Sequence, residues 1–325
     1  MKEETVANRA ELSIVVLNFR TPTETVAAAE SARIAAGDVR TEVIVVDNAS
    51  GDGSVDYIRK HIPDARIVET DTNRGFAAGM NTGIRRSTGD FVFLMNSDVK
   101  AEPGSVTVLL DYMRDNPDVG LAAPLLFDES GKPSRTLLLQ PTWFRVFVPW
   151  VGKAQYRLWQ RKLSNSPLEV EATEGAALLV RRETIARAGL LDEDFFFYHE
   201  IVEWCMRIRD HGFRVMVVPK SRMVHAGGGS TGALRQVARI ELKRSEYQLL
   251  RKRFGRIMSK AAIGRDAVSE LASTCFYAML CLLSLGKYTR AKEKFAVHRA
   301  VWMWIMAGMP ERNEASYKAK FGRWD

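Results

Sequence analysis

The chain has 325 residues, 46% hydrophobic and 26% charged, a composition that excludes a disordered or collagen-like chain and supports one large core plus an appendage. Its net charge of +8 is unevenly placed, with 28 Lys+Arg against 31 Asp+Glu in residues 1–230 but 19 against 8 in residues 231–325. Three cysteines without CxxC spacing, and a polar N-terminus with no apolar run, argue against a disulfide framework, a secretory leader or an N-terminal anchor, and predict a cytosolic protein.

Residues 12–17 (LSIVVL) read as a first buried strand, and Pro22 with the Ala-rich stretch to residue 36 as a helix carrying proline in its first turn. A second strand, 42–46, ends at Asp47, and the turn-forming residues 48–54 (NASGDGS) lead into a helix over 55–61. After a short strand at 66–69, the segment 73–83 (NRGFAAGMNTG) opens a helix, and the apolar strand 91–96 stops at Asn96-Ser97-Asp98. This alternation implies parallel pairing through right-handed crossovers, hence an open doubly wound α/β sheet. A helix over 103–116 and a strand at 120–125 follow.

Periodicity is poor from 127 to 170, where Trp143, Phe144, Phe147, Trp150, Tyr156 and Trp159 are interleaved with basic residues. Such a stretch is either a functional loop or a helical excursion that packs its aromatics on the core. Regularity returns with a strand at 176–180, a helix after Arg182, a helix near 202–211 and a strand at 215–218.

The last third changes character, and the chain divides into 1–240 and a basic, apolar helical region over 241–325. Residues 271–286 are uncharged, about 24 Å as a helix and short of the ~30 Å bilayer core. A second apolar patch, 300–309, carries Trp302 and Trp304, and Lys287, Arg290, Lys292 and Lys294 lie between the two. This pattern suits an anionic membrane surface; the competing reading is a hairpin packed on the rest of the chain or on a second copy in a homo-oligomer. Basic residues that alternate with long apolar runs do not form a nucleic-acid-binding stripe, so no nucleic acid partner is expected.

Asp47 and Asp98 each end a buried strand, and ligands of such sheets bind beyond the strands' carboxyl ends. One acid suits a polar ligand edge and the other a metal, although each also fits a turn in which the side chain bonds its own backbone. In residues 73–83, three glycines at a spacing of four let a helix approach the sheet, and Gly75 allows backbone contact with a ligand. The segment is not GxGxxG and no Walker lysine occurs, so dinucleotide and P-loop readings lose support. Arg181 and Arg182, at the end of a strand, suit donor phosphates or an acceptor, or simply start a helix.

The ordered series VVLNF (15–19), VVDNASGDGS (45–54), NRGFAAGMNTG (73–83), FLMNSDV (93–99), EGAALLVRR (174–182), EWCMRIRDHGFRV (203–215) and VPKSRMVHAGGGS (218–230) resembles the family 2 glycosyltransferases. It is most similar to their bacterial rhamnosyltransferase-like branch. The resemblance spans residues 12–232 and implies a GT-A fold, a Rossmann-like open mixed sheet with helices on both faces, followed by the C-terminal helical appendage. It implies an inverting transferase that moves a sugar from a nucleoside diphosphate donor to a saccharide acceptor; the EWC stretch resembles enzymes that use dTDP-L-rhamnose, with UDP-sugars as the alternative donors. A polyprenyl-diphosphate-linked acceptor in cell-surface polysaccharide synthesis would place the protein on the inner face of the cytoplasmic membrane.

By the same resemblance Asp47 accepts from the nucleotide base, and Asn18, Asn73, Gly75, Asn96 and Arg181 contribute to the donor site. Asp98 binds Mg²⁺ or Mn²⁺, and His225 completes the metal site. The family's usual Asp-x-Asp begins here with Asn96, a variation common in the branch. A larger departure is Ile201, which occupies the position of the family's catalytic base. Glu200 and Glu203 share a helix face and either reaches an acceptor hydroxyl, Glu200 being favoured; an Arg-paired face is the alternative. His199 is a further candidate, since its pKa suits proton transfer near neutrality. Ile201 also motivates a different reading, a nucleotide-sugar-binding scaffold that has lost catalysis.

Overall fold

The computed structural model describes residues 10–162, 166–227, 235–285 and 287–311. Expectations for the extreme N-terminus, for residues 228–230 at the end of the last quoted motif and for 312–325 lie outside the described residues. The chain forms two compact units, the first made of residues up to 140, 150–196 and 200–227, the second of 141–149, 197–199 and the residues from 228 onward. The boundary expected at 240 therefore falls inside a helix that starts at Arg235.

In the first unit, β1 (Leu12–Asn18), β2 (Thr41–Asp47), β3 (Arg66–Glu69) and β4 (Phe91–Asn96) pair in parallel in the order β3-β2-β1-β4. Successive side chains on β1 face opposite layers. Leu12, Ile14 and Val16 share a buried cluster with Ala28 and Ala32 of α1 (Pro22–Ala36) and with Leu110 of α4 (Ser105–Asp115). Val15 and Leu17 face α3 (Phe76–Arg86). That second layer depends on glycine: a Cβ on Gly79 would sit 2.5 Å from Leu17 Cδ1, and one on Gly83 would overlap Val15 and sit 3.1 Å from Val46 Cγ2. The spacing-four glycines thus bring α3 against the sheet as expected. α2 (Ser54–His61) completes this half.

The sheet continues β4-β10-β6-β11-β5, with β8 (Leu168–Glu169) also on β11. β6 (Val119–Phe127) and β11 (Arg214–His225) pair in parallel, but β10 (Ala177–Arg181) runs antiparallel to both β4 and β6, and β5 (Val99–Ala101) antiparallel to β11. The first four strands are thus parallel as their alternation with helices implies, and the whole is the mixed sheet that the resemblance implies, because β10 is reached by a long excursion rather than a short helical crossover. β11 also outruns the strand expected at 215–218: its register breaks between Val218 and Arg222, around Pro219, which has no N–H to donate, and pairing then resumes to His225.

The aromatic stretch does fold, into β7 (Leu137–Leu138), α5 (Trp143–Phe147) and α6 (Pro149–Lys162). Trp143, Phe144 and Phe147 stay 48%, 62% and 40% exposed, so α5 does not bury its aromatics. β9 (Ala172–Thr173) pairs with β7, and α7 (Arg182–Ala188) and α8 (Glu200–Asp210) complete the first unit, whereas α5 belongs to the second.

The second unit is built on α9 (Arg235–Leu283), interrupted at Gly255 (φ 86, ψ 175), and α10 (Thr289–Met306). Its core joins Tyr247, Leu250, Met258 and Ala262 of α9 to Ala300, Val301 and Trp304 of α10. The patch at 300–309 is thus largely hairpin core, with Trp304 stacked on Tyr247 at 6.3 Å. Within α9, Lys243 Nζ lies 2.8 Å from both Glu246 and Asp266, and Tyr247 Oη donates to Asp266 at 2.9 Å. The other apolar stretch stays outside: Val268, Leu271, Phe276, Met279 and Leu282 recur at helical spacing and are exposed. By length and composition alone, α9 is also long and apolar enough to cross a membrane.

Candidate active site

Parallel register gathers the carboxyl ends of the central strands on one edge, since Asn18 is opposite Asp47 and Leu17 opposite Asn96. There Asn18 Nδ2 donates to Asp47 Oδ1 at 2.6 Å and to Ser50 Oγ at 3.1 Å, while its Oδ1 accepts from Thr25 Oγ1 at 2.8 Å. Ser50 N–H returns to Asp47 Oδ2 at 3.0 Å. The Asp47 carboxylate, 3% exposed, is fixed through both oxygens, and each oxygen keeps a lone pair for an incoming N–H. The turn 48–54 thus uses its polar residues to hold the acid in place.

Asn73 Oδ1 accepts from Asn48 Nδ2 and from Gly75 N–H, both at 2.9 Å. Gly75 has φ 93, and a Cβ there would overlap Phe196 O and lie 2.7 Å from Phe196 Cα. Phe76 N–H also donates to Phe196 O at 2.7 Å. The glycine therefore admits the protein's own backbone, which corrects the expected ligand contact. Gly75→Ala should lower stability by at least about 2–3 kcal/mol, because it combines a left-handed backbone with a backbone overlap; chemical denaturation measures this, and an unchanged midpoint would contradict the packing.

Ser97 and Asp98 form the turn between β4 and β5, so the turn and the site are the same feature. Ser97 Oγ accepts from Thr21 Oγ1 at 2.9 Å, and Asn96 N–H donates to Ala176 O at 2.9 Å. Asn96 Oδ1 is buried with no hydrogen-bond partner among the described residues. The pairing of β5 with the end of β11 sets His225 opposite Val99 and His225 Nε2 3.3 Å from Asp98 Oδ1. Burial disfavours the charged imidazole, but Asp98 and then Glu174 outweigh it and hold the His225 pKa above its ordinary value.

Antiparallel β10 delivers its preceding residues to this edge. Burial raises the pKa of Glu174, with Arg135 and His225 opposing. Glu200, at the start of α8 and 6% exposed, is pushed up to about 7 by burial, opposed by its own backbone N–H and aided by the charge of Glu174. Its Oε2 has no hydrogen-bond partner among the described residues. Ile201 is buried against Gly175, where a Cβ would meet Ile201 Cγ1 at 2.7 Å. The position that the resemblance implies for a base is thus filled by packing, and a buried carboxyl stands one residue earlier.

Two expected residues are committed elsewhere, and a third lies in the other unit. Glu203 is held by Arg207 Nε at 2.8 and 2.9 Å, and the same guanidinium binds Ala188 O and Leu190 O; it is committed to an ion pair. Arg181 pairs with Phe91 at the opposite edge of the sheet, and its guanidinium is spent on the Met113, Asn116 and Val119 carbonyls; an antiparallel strand ends away from the site. His199 belongs to the second unit, with a left-handed backbone (φ 63). Conversely, Glu174, Asn48, Ser50 and Thr21 were not singled out, although all but Thr21 lie in segments quoted above.

Asp98 and His225 supply a carboxylate and an imidazole whose 3.3 Å separation suits adjacent positions on an octahedral cation, about 3 Å apart for ligand distances of 2.0–2.1 Å. Among the described residues no group of three or more His, Cys, Asp or Glu converges as a metal site. Two such ligands would leave the remaining positions of a bound cation to substrate phosphates and water, the usual arrangement for Mg²⁺.

A family model described as glycosyl transferase family 2 matches residues 13–173. The N-acetylglucosaminyl-diphospho-decaprenol L-rhamnosyltransferase of Mycobacterium tuberculosis is 30% identical over 214 residues, covering 58% of this chain and 68% of that protein. The dTDP-rhamnosyl transferase RfbF of Shigella flexneri is 24% identical over 192 residues, covering 57% and 60%. Among solved structures, the mannosyltransferase PcManGT from Pyrobaculum calidifontis, in complex with GDP-Man and Mn²⁺, shares the fold with a TM-score of 0.56 at 18% identity, over 94% of this chain and 88% of that one.

Proposed function

The chain belongs to glycosyl transferase family 2, and from that premise we propose that it transfers L-rhamnose from dTDP-L-rhamnose to a saccharide borne on a polyprenyl diphosphate, with inversion and with a divalent cation. The observation that carries the catalytic part is Glu200, a buried carboxyl whose pKa near 7 matches the working pH of a general base. In this reading Asp47, held by Asn18 and Ser50, accepts from the nucleotide base, and Asn48 and Asn73 support that pocket. Asp98 and His225 hold Mg²⁺ or Mn²⁺. When bound, the cation neutralises charge on the leaving diphosphate.

Glu200 takes the proton of the acceptor hydroxyl. The freed oxygen attacks the anomeric carbon opposite the diphosphate, the bond from that carbon to the phosphate oxygen breaks, and the electron pair leaves with dTDP. Water exclusion around Glu200 both raises its pKa and strengthens its basicity once ionised. The two rhamnosyltransferase relatives support the donor, and the diphospho-decaprenol in the name of one supports the acceptor. The exposed stripe of α9, followed by Lys287, Arg290, Lys292 and Lys294, supports attachment to an anionic membrane surface, where such an acceptor resides.

The test is a donor panel with a saccharide–diphospholipid acceptor and Mg²⁺ or Mn²⁺. Transfer is expected from dTDP-L-rhamnose above other nucleotide sugars. Tight nucleotide binding with no transfer from any donor would instead favour a non-catalytic scaffold.

A further inference from the structure

We propose that Arg135 is the group that reads the phosphate of the acceptor; this rests on the phosphate-bearing acceptor proposed above. Its backbone is clamped on both sides. Ser134 N–H donates to Leu126 O at 2.8 Å, and Leu126 N–H to Thr136 Oγ1 at 3.0 Å. Thr136 O in turn accepts from Glu174 N–H at 2.8 Å and from Thr173 Oγ1 at 2.9 Å. Pairing of β7 with β9, in which Leu137 is opposite Thr173, extends along these bonds and sets Arg135 beside the segment that carries Glu174. The guanidinium is felt at the Glu174 carboxyl, which is in turn felt at Glu200.

Asp98, Glu174 and Glu200 make this edge acidic, so an anionic acceptor needs a cation on its approach. His225 is engaged with Asp98. Arg182 is spent on Gly89 O and Ser87 Oγ, and Arg181 faces the other edge. Arg135, by contrast, is exposed and takes no side-chain hydrogen bond or close ion pair among the described residues. A planar guanidinium fork on a pinned backbone is well matched to phosphate oxygens.

The experiment compares a saccharide–diphospholipid with the same saccharide as an uncharged glycoside, in wild type, Arg135→Ala and Arg135→Lys. Arg135→Ala should raise KM for the phosphate-bearing acceptor about 10- to 100-fold, with Arg135→Lys intermediate. Turnover of the uncharged glycoside and the Kd for dTDP should not change. Equal losses on both acceptors, weakened dTDP binding or an unchanged preference in Arg135→Ala would each overturn the assignment. A wild type with no preference for the phosphate-bearing acceptor would instead remove the acceptor class on which it rests.

Discussion

Glu200→Gln should lower kcat by about 10²- to 10⁴-fold, the usual contribution of a positioned general base, while dTDP binds as tightly as to the wild type. Relative to the wild type, the same variant should gain stability as pH rises. Glu200 ionises near 4.5 in an unfolded chain but near 7 in the folded one, so between those values the unfolded state binds fewer protons and the wild type loses stability with rising pH. Above about pH 7 the accumulated cost is on the order of 3 kcal/mol, and Gln does not incur it. Relative to pH 4, Glu200→Gln should therefore be stabilised against the wild type at pH 8. Denaturation at both pH values checks this, and a difference that does not change with pH would show that Glu200 is not buried as a carboxyl. Loss of activity with a gain in stability is the mark of a functional acid; Glu203, paired with Arg207, should behave oppositely and lose stability on replacement.

Asp98→Ala should reduce kcat/KM by about 10²- to 10⁴-fold, as expected when several kcal/mol of charge stabilisation on the leaving diphosphate are lost. Stimulation by Mn²⁺ should disappear with it, because His225 alone is a poor site for a hard cation. Titration of the divalent cation in wild type and variant gives the answer. Full stimulation in Asp98→Ala would place the metal elsewhere or remove the requirement.

These predictions depend on residues of unequal legibility. The placement of Asp47 and Asp98 at one edge of the sheet was readable because each follows an uninterrupted apolar strand, and parallel strands all present their carboxyl ends on one edge. Strand direction was not readable. β10 is apolar like its neighbours, yet it runs the other way, so Arg181 at its end was misplaced and Glu174 before it was passed over. Gly75 carried a clear conformational signal, but its purpose lay with Phe196, far along the chain. The choice between Glu200 and Glu203 was present in the sequence, since Arg207 stands four residues after Glu203 and none stands in that position for Glu200.

Ile201 has a physical account as well. It packs on Gly175, the residue after Glu174, and so helps seal the environment that raises the pKa of Glu200. In the proposed mechanism an acid one residue earlier, at the first turn of α8, takes the proton without requiring a buried charge at 201.

The most direct test is the pH dependence of kcat/KM for transfer from dTDP-L-rhamnose at saturating divalent cation. The rate should rise about tenfold per pH unit on the acid side, level off with a midpoint near 7, and lose that limb in the residual activity of Glu200→Gln. A wild-type profile flat from pH 5 to 8, or the same limb retained in Glu200→Gln, would contradict Glu200 as the base.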